Sequence, residues 1–274
     1  EIVSKMAPVR TNFIPHALPP DLFYPLDKNL KHRHKVEILG EPRRDHFVLF
    51  WVNRNARRKR PNDLLWAWSL FMKDLKEKHG RNNASLLLHT DPNDQEGPNL
   101  LGVVDKLGIS ESVIFSNERV DFDRMNILHN ISDACVNISY AEGFGLPTLE
   151  AMQCGVPIIA AKTGGLTRQV VDHRDGSENG VALDIDFRSL VGSQQVPFIY
   201  EDYCDTQNIA NAIMKLYEMP TKEREALGQK TRDYVLSEFN YQHTIDRWHE
   251  TLSELVESWK SQRTRRWSFN EVIK

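Results

Sequence analysis

The sequence has few cysteines and no long apolar run. Its three cysteines, Cys135, Cys154 and Cys204, are widely spaced and form no CxxC pair, so neither a disulfide scaffold nor a zinc ribbon is favoured. No stretch approaches the roughly 20 apolar residues of a membrane span, and the opening residues lack the apolar centre of a signal peptide. We therefore expect a cytoplasmic protein, free in the cytosol or at the cytosolic face of a membrane.

Neither sign of charge is in excess. The 274 residues carry 35 Lys and Arg against 38 Asp and Glu, a net charge of −3. This balance argues against a nucleic-acid partner. Hydrophobic residues make up 40% and charged residues 27% of the chain, a composition that is ordinary for globular proteins and unlike that of disordered or fibrous ones.

Short apolar runs alternate with longer amphipathic stretches from residue 46 onward, which predicts an α/β fold with a Rossmann-like, doubly wound parallel sheet. Ligands of such a sheet bind at the carboxyl ends of its strands. The expected strands are His46–Val52, Ser85–His89, Ser112–Phe115, Ala134–Ser139, Pro157–Lys162 and Val181–Ile185. The expected helices between them cover residues 61–75, Asn99–Leu107, Arg124–Ser132, Leu146–Gln153 and Gly165–Val171.

From Thr206 the pattern becomes purely helical. Helices are expected at Asn208–Tyr217 and Lys222–Ser237, followed by an amphipathic helix whose apolar positions include Ile245 and Trp259. Residues 186–205 look like an irregular insertion without an assigned function. We expect residues 1–40 to be a linker and the start of the main domain, residues 41–240 to form that domain, and residues 241–274 to be a final helix with a basic tail.

The densest motif, SYAEGFGLPTLEA at Ser139–Ala151, follows the fourth predicted strand and opens a helix. Free backbone N–H groups and the positive end of the helix dipole make such a turn an anion site. Glycines at 143 and 145 let the backbone approach a phosphate closely. Glu142 in the turn and Glu150 on the helix can face the same cleft, where a pair of carboxylates suggests hydrogen bonds to sugar hydroxyls.

This motif, with the following AMQCGVPI and the Thr163–Gly165 turn, resembles the E-x7-E region of retaining glycosyltransferases of the GT-B fold, in particular family 4. The resemblance implies one half of a GT-B enzyme, the C-terminal domain that binds a UDP-, GDP- or ADP-linked sugar as donor. The acceptor, a glycan, lipid or protein, is not specified. The nucleoside-diphosphate sugar is then a substrate, and the resemblance implies neither a cofactor nor a required metal.

The basic segment Asn53–Arg60 stands where this family has a GR…KG segment, with Arg54 and Lys59 at the matching positions. The resemblance implies that these cations neutralise the donor diphosphate and stabilise it as leaving group. A solvated basic turn is the alternative, and it is our expectation for Arg57, Arg58 and Arg60. Arg60 also replaces a family glycine, and because arginine does not readily adopt left-handed backbone, the geometry of this turn is left open.

The resemblance also assigns roles to individual residues. Glu150 would hold the ribose hydroxyls, and Glu142, with Arg54 and Lys59, would form the catalytic group at the donor sugar. Gly143, Gly145 and Leu146 would line the phosphates with backbone N–H groups, and Phe144 would shape the site. Asn117, after the third strand, lies where the family's base-binding loop is expected. Departure of the diphosphate from the front face of the sugar is the preferred mechanism.

Several weaker patterns remain. The DxD triplets at Asp121–Asp123 and Asp184–Asp186 match metal-dependent glycosyltransferases, but short triplets of this kind carry little weight. The ten histidines show no metal-ligand spacing, and His32 and His34 are expected on the surface. The basic tail at Lys260–Trp267 can contact an anionic membrane, although a solvated helix end is the favoured interpretation.

Asn12–Pro25 resembles the family's passage between its two domains. Only about ten residues precede it, so we expect the N-terminal acceptor-binding domain to be absent from this chain. Two alternatives to a transferase domain stay open at this point. One is a non-catalytic nucleotide-sugar-binding module that needs a partner subunit, and the other is a sugar-nucleotide 2-epimerase of related fold.

Overall fold

A computed structural model describes Lys5 and residues 11–261 of the chain. The chain divides into two compact units. The larger unit is Leu18–Glu238, and the other contains both ends of the chain, of which Lys5 and residues 11–17 and 239–261 are described. In the part of the chain that the structure covers, no helix is long and apolar enough to cross a membrane.

The larger unit is built on a six-stranded parallel sheet with the order β3-β2-β1-β4-β5-β6. Its strands are β1 (Phe47–Val52), β2 (Ala84–His89), β3 (Val113–Ser116), β4 (Ala134–Asn137), β5 (Ile158–Ala161) and β6 (Gly180–Leu183). This confirms the predicted doubly wound sheet. The order reverses between β1 and β4, and a crevice for ligands opens at the carboxyl ends of the strands at such a switch point.

Eight α-helices of this unit are described, and most of them pack on the faces of the sheet. They are α1 (Lys28–Leu39), α2 (Pro61–His79), α3 (Leu100–Lys106), α4 (Phe122–Asn130), α5 (Leu146–Gln153), α6 (Leu166–Val170), α7 (Thr206–Glu218) and α8 (Thr221–Glu238). Most of the predicted apolar face of α2, including Leu64, Trp68 and Phe71, is fully buried. It joins the inner face of α7 and one face of the sheet in a single hydrophobic core.

One sequence-based expectation was wrong, and one helix was not expected. Residues 186–205 are not irregular, because β7 (Phe187–Val191) and β8 (Ile199–Tyr203) pair as an antiparallel hairpin with Phe187 opposite Tyr203. Residues 1–40, expected to be a linker and the start of the main domain, contain the unexpected helix α1, whose N-terminus is capped by the Asp27 carboxylate accepting from Asn29 N. Most side chains of both elements are at least partly exposed, so neither element carries a strong apolar pattern.

The second unit contains the expected last helix, α9 (Tyr241–Ser261). Four of its apolar side chains, Trp248, Leu252, Leu255 and Trp259, are at least half exposed. Within this unit, Asn12 Nδ2 donates to Thr251 Oγ1 at 3.2 Å. The basic tail beyond Ser261, for which the sequence favoured a solvated helix end over a membrane contact, lies outside the described residues.

Candidate functional site

Two loops meet at the switch point of the sheet. The basic loop, residues 53–60, follows β1, and the glycine loop, residues 138–145, follows β4. Tyr140 N donates to Arg58 O at 2.9 Å, which joins the two loops by their backbones. Because β1 and β4 are neighbours and parallel, the segments that leave their carboxyl ends share one edge of the sheet.

The Lys59 ammonium donates to Glu142 Oε2 across these loops. Both side chains are nearly buried, with 9% and 11% of their surface exposed. Burial lowers the pKa of Lys59, and the hydrogen bond to Glu142 partly opposes that shift. The Arg58 guanidinium lies 3.8 Å from the same carboxylate but is largely exposed, as the sequence led us to expect. The structure thus brings two of the three predicted catalytic residues into direct contact.

Beside this pair, α5 begins at Leu146, directly after the glycine loop. Gly145 precedes it in left-handed backbone with φ of 91°, and no described side chain caps the first turn. The N–H groups of that turn therefore have no side-chain partner, which leaves the positive end of the helix available to an anion. A Cβ placed on Gly143 would meet no described atom within 4 Å.

The glycine loop rests on the Thr163–Gly165 turn. Gly165 N donates to Glu142 O at 3.1 Å. A Cβ on Gly164 would lie 2.0 Å from Glu142 O, and Gly164 has a φ of 48°. Gly164 and Gly165 are required because the backbone of their turn contacts the backbone of the glycine loop. The sequence alone did not indicate this contact.

Replacing Gly164 by alanine is expected to lower the free energy of unfolding by more than about 2 kcal/mol, because the new methyl collides with backbone and the left-handed conformation is strained. Gly143→Ala is the matched control and should stay within about 0.5 kcal/mol of the wild type. Urea denaturation measures both. Equal stability of the two variants would contradict this packing of the turn.

Arg54 and Asn117, two other predicted site residues, do not contact the pair formed by Lys59 and Glu142. Arg54 Nε donates to Asp94 Oδ2 at 2.7 Å, and a second ion pair joins its guanidinium to Glu96 at 2.9 Å. The hydrogen bond between Arg54 and Asp94 raises the pKa of the arginine and lowers that of the carboxyl. The Arg54 contacts therefore run to the loop after β2 and not to Glu142. Asn117 is exposed after the edge strand β3, which β2 separates from β1.

Glu150 lies on α5 and contacts a residue that the sequence did not indicate. Its Oε2 is 3.0 Å from Nε2 of His129, a fully buried side chain near the end of α4. Nothing in the sequence marks His129, since it belongs to no motif and is 21 positions away from its partner.

Arg60 is buried, which corrects the expectation that it is solvated. It adopts left-handed backbone with φ of 56° and is the sole non-glycine residue described with positive φ. Its Nε donates to Asp63 Oδ2 at 2.9 Å and its Nη2 to Cys204 O at 3.1 Å. Charge-assisted hydrogen bonds of this kind offset the roughly 1–2 kcal/mol that the left-handed conformation costs. The turn therefore keeps a glycine-like backbone without the glycine.

The hairpin β7–β8 also contacts the basic loop. Arg60 lies over the rings of Tyr140 and Tyr203 at 5.2 and 5.3 Å from their centroids. Arg57 was also expected in solvent. Its guanidinium donates to the buried carboxylate of Glu201, and this hydrogen bond raises the pKa of Arg57. Arg57 keeps an exposed surface, but its charge is paired.

The acidic DxD residues serve local structure. Asp121 Oδ1 accepts from Arg124 N at 2.9 Å and caps α4. Asp186 Oδ2 accepts from Asp205 N at 2.8 Å, and Asp184 pairs with Lys162. Among the residues that the structure describes, no three His, Cys, Asp or Glu side chains are grouped to hold a metal.

A model of the family "Glycosyl transferases group 1" matches residues 35–185. The chain is 34% identical over 160 residues to D-inositol 3-phosphate glycosyltransferase 2 of Catenulispora acidiphila. That alignment covers 57% of this chain and 36% of the relative. The chain thus spans well under half the length of this relative.

Solved structures show the same fold. Sucrose-phosphate synthase from Thermosynechococcus elongatus aligns with a TM-score of 0.69 at 26% identity, over 91% of this chain and 53% of that one. Alr3699/HepE from Anabaena, in complex with UDP and glucose, aligns with a TM-score of 0.66 at 20% identity, over 87% of this chain and 55% of that one. In both, the matched part is about half of the longer protein.

Proposed function

The chain belongs to the glycosyl transferases of group 1, and from this premise we propose that the larger unit binds a nucleoside-diphosphate sugar as donor for a retaining glycosyl transfer. The contact between Lys59 and Glu142 at the switch point, beside the uncapped start of α5, carries the proposal. It places a cation, a carboxylate and free backbone N–H groups at one edge of the sheet.

The diphosphate is proposed to lie between the Lys59 ammonium and the first turn of α5, where Gly145 and Leu146 offer N–H groups. A positive charge and a helix N-terminus stabilise an anion together. They also stabilise the charge that develops on the diphosphate as it leaves, so the residues can perform this step without a metal. Gly143 would let the phosphates approach the backbone.

Glu142 is proposed to face the donor sugar. In a front-face mechanism the bond between the anomeric carbon and the diphosphate oxygen breaks, and the electron pair stays with the diphosphate. The acceptor hydroxyl bonds to the same face of that carbon and gives its proton to the departing diphosphate oxygen. Glu142 would then orient the sugar and stabilise the positive charge that develops on its ring. Glu150 would accept hydrogen bonds from the ribose hydroxyls.

The remaining predicted residues are proposed as secondary contacts. Phe144 would shape the sugar site, Arg54 would shift from Asp94 to a donor phosphate, and Asn117 would lie near the base. UDP is the first nucleotide to test, because Alr3699/HepE was solved with UDP and glucose. The acceptor pocket is proposed to form with a second domain, since the chain spans 36% of its curated relative.

Thermal unfolding with UDP, GDP and ADP tests the donor site. A ligand at 100 times its Kd stabilises the folded state by about 2.7 kcal/mol, which raises the melting temperature by several degrees. We expect at least one of the three nucleotides to do so and its nucleoside, which lacks phosphates, to do much less. A chain whose melting temperature none of them shifts at millimolar concentration would refute the proposed donor site.

A further inference from the structure

His129 is held rigidly inside the larger unit. Its side chain is fully buried near the end of α4. The rings of Phe23 and Phe50 stand edge-on to the imidazole, with centroids 5.8 and 5.0 Å away and interplanar angles of 83°. Contacts to two aromatic rings leave the imidazole little freedom to rotate, so the direction of its polar edge is fixed by the core.

The polar edge of the imidazole is hydrogen-bonded to Glu150. Nε2 lies 3.0 Å from Glu150 Oε2. With the proton on Nε2, the imidazole donates to the carboxylate of Glu150. Nδ1 is buried and has no hydrogen-bond partner among the described residues.

The unpartnered Nδ1 shows that packing alone does not account for a histidine here. A phenylalanine would fill a similar volume between the two rings without burying a polar nitrogen, which is unfavourable when unpaired. The hydrogen bond to Glu150 is what a phenylalanine could not supply. Since Glu150 is still partly open, with 16% of its side chain exposed, one carboxylate edge can be fixed from inside while the other meets a ligand.

We propose that His129 is a positioning residue for the nucleotide, which holds the Glu150 carboxylate in the orientation that accepts hydrogen bonds from the vicinal hydroxyls of a ribose. This inference rests on the proposed function, because it takes Glu150 to meet the ribose. A residue that fixes the rotamer of a ligand-binding side chain reduces the conformational entropy which that side chain loses when the ligand binds. Without its partner, Glu150 would sample several rotamers and bind the hydroxyls less well.

The test compares His129→Phe and His129→Met with the wild-type chain by calorimetric titration. The probes are UDP, GDP and ADP, each beside its 2′,3′-dideoxy analogue. For the nucleotide that binds, both variants should weaken affinity by about tenfold, the scale of one hydrogen bond to a charged group. The dideoxy analogue should bind wild type and variants equally. His129→Gln, which keeps a side-chain N–H, should recover part of the loss.

His46→Phe is the control, since His46 donates to or accepts from Ser85 Oγ at 2.9 Å at the opposite end of β1 and should not affect binding. In a background of Glu150→Gln, the His129 substitutions should add no further loss. A loss that is equal for the ribose and dideoxy nucleotides, or no loss at all, would overturn the role of His129 while leaving the donor site intact. A wild-type chain that binds none of the nucleotides would overturn the donor site and this inference together.

Discussion

Replacing Lys59 by methionine is expected to weaken nucleoside-diphosphate binding by about 100-fold, the scale measured for truncating one member of a buried charge pair at a binding site. Lys59 is nearly buried against Glu142, so few water molecules can screen its charge. Methionine keeps the length and apolar stem of lysine but removes the charge. Glu142 would then repel the arriving phosphates without a neighbouring ammonium to compensate.

Calorimetry with UDP and with uridine separates the two parts of the ligand. The variant should lose affinity for the diphosphate and keep its affinity for the nucleoside. Lys35→Met is the matched control, because Lys35 is also largely buried and pairs with a carboxylate, Asp133 at 3.4 Å, away from the switch point. Equal losses of affinity in both variants would contradict a direct role for Lys59.

The same lysine gives the binding reaction a pH dependence. Burial lowers the pKa of Lys59 below its ordinary value of 10.5. The ammonium is charged below its pKa, so diphosphate affinity should fall as pH rises and should begin to fall before pH 10.5 is reached. Lys59→Arg should remove this decline, since arginine keeps its charge throughout that range.

Replacing Glu142 by alanine is expected to lower glycosyl transfer by at least about 100-fold, the lower range for removing one group that stabilises a transition state. Nucleotide binding should remain measurable, because Lys59 and the start of α5 are kept. Release of nucleoside diphosphate from the donor sugar, followed with and without an added acceptor domain, measures the first effect. Calorimetry with the nucleoside diphosphate measures the second.

Glu225→Ala is a suitable control, since Glu225 forms an exposed ion pair with Lys28 on α1. Exposed pairs of this kind contribute little to stability, so the control should retain wild-type turnover. Turnover that survives the loss of Glu142 would show that this carboxylate does not take part in the reaction. Loss of both turnover and nucleotide binding would instead show that Glu142 holds the site together.

Much of the sheet could be predicted because most of its strands are buried on both faces and are therefore nearly continuous apolar runs. The hairpin β7–β8 could not be predicted, because its apolar side chains Phe187 and Tyr200 are exposed. Most residues of its two strands are at least partly exposed. Helix α1 was missed for a similar reason, as Leu39 is its one buried residue. Both elements lack the apolar periodicity from which sequence arguments start.

The site was predictable where neighbouring strands determine it. Lys59 and Glu142 leave adjacent parallel strands, so their meeting follows from strand order. The partners of Arg60 and Glu150 did not follow from any motif. Arg60 reaches Cys204 O, which is 144 positions along the chain, and Glu150 reaches a histidine of α4. Contacts of this kind depend on tertiary packing, which no local pattern encodes.

A crystal structure of the chain with UDP, or with whichever nucleoside diphosphate binds most tightly, tests the central claim most directly. We predict the diphosphate between the Lys59 ammonium and the N–H groups of Gly145 and Leu146, with the ribose hydroxyls within hydrogen-bond distance of Glu150. A nucleotide bound away from the switch point, or a diphosphate held by a metal at Asp184 and Asp186 without Lys59, would contradict it.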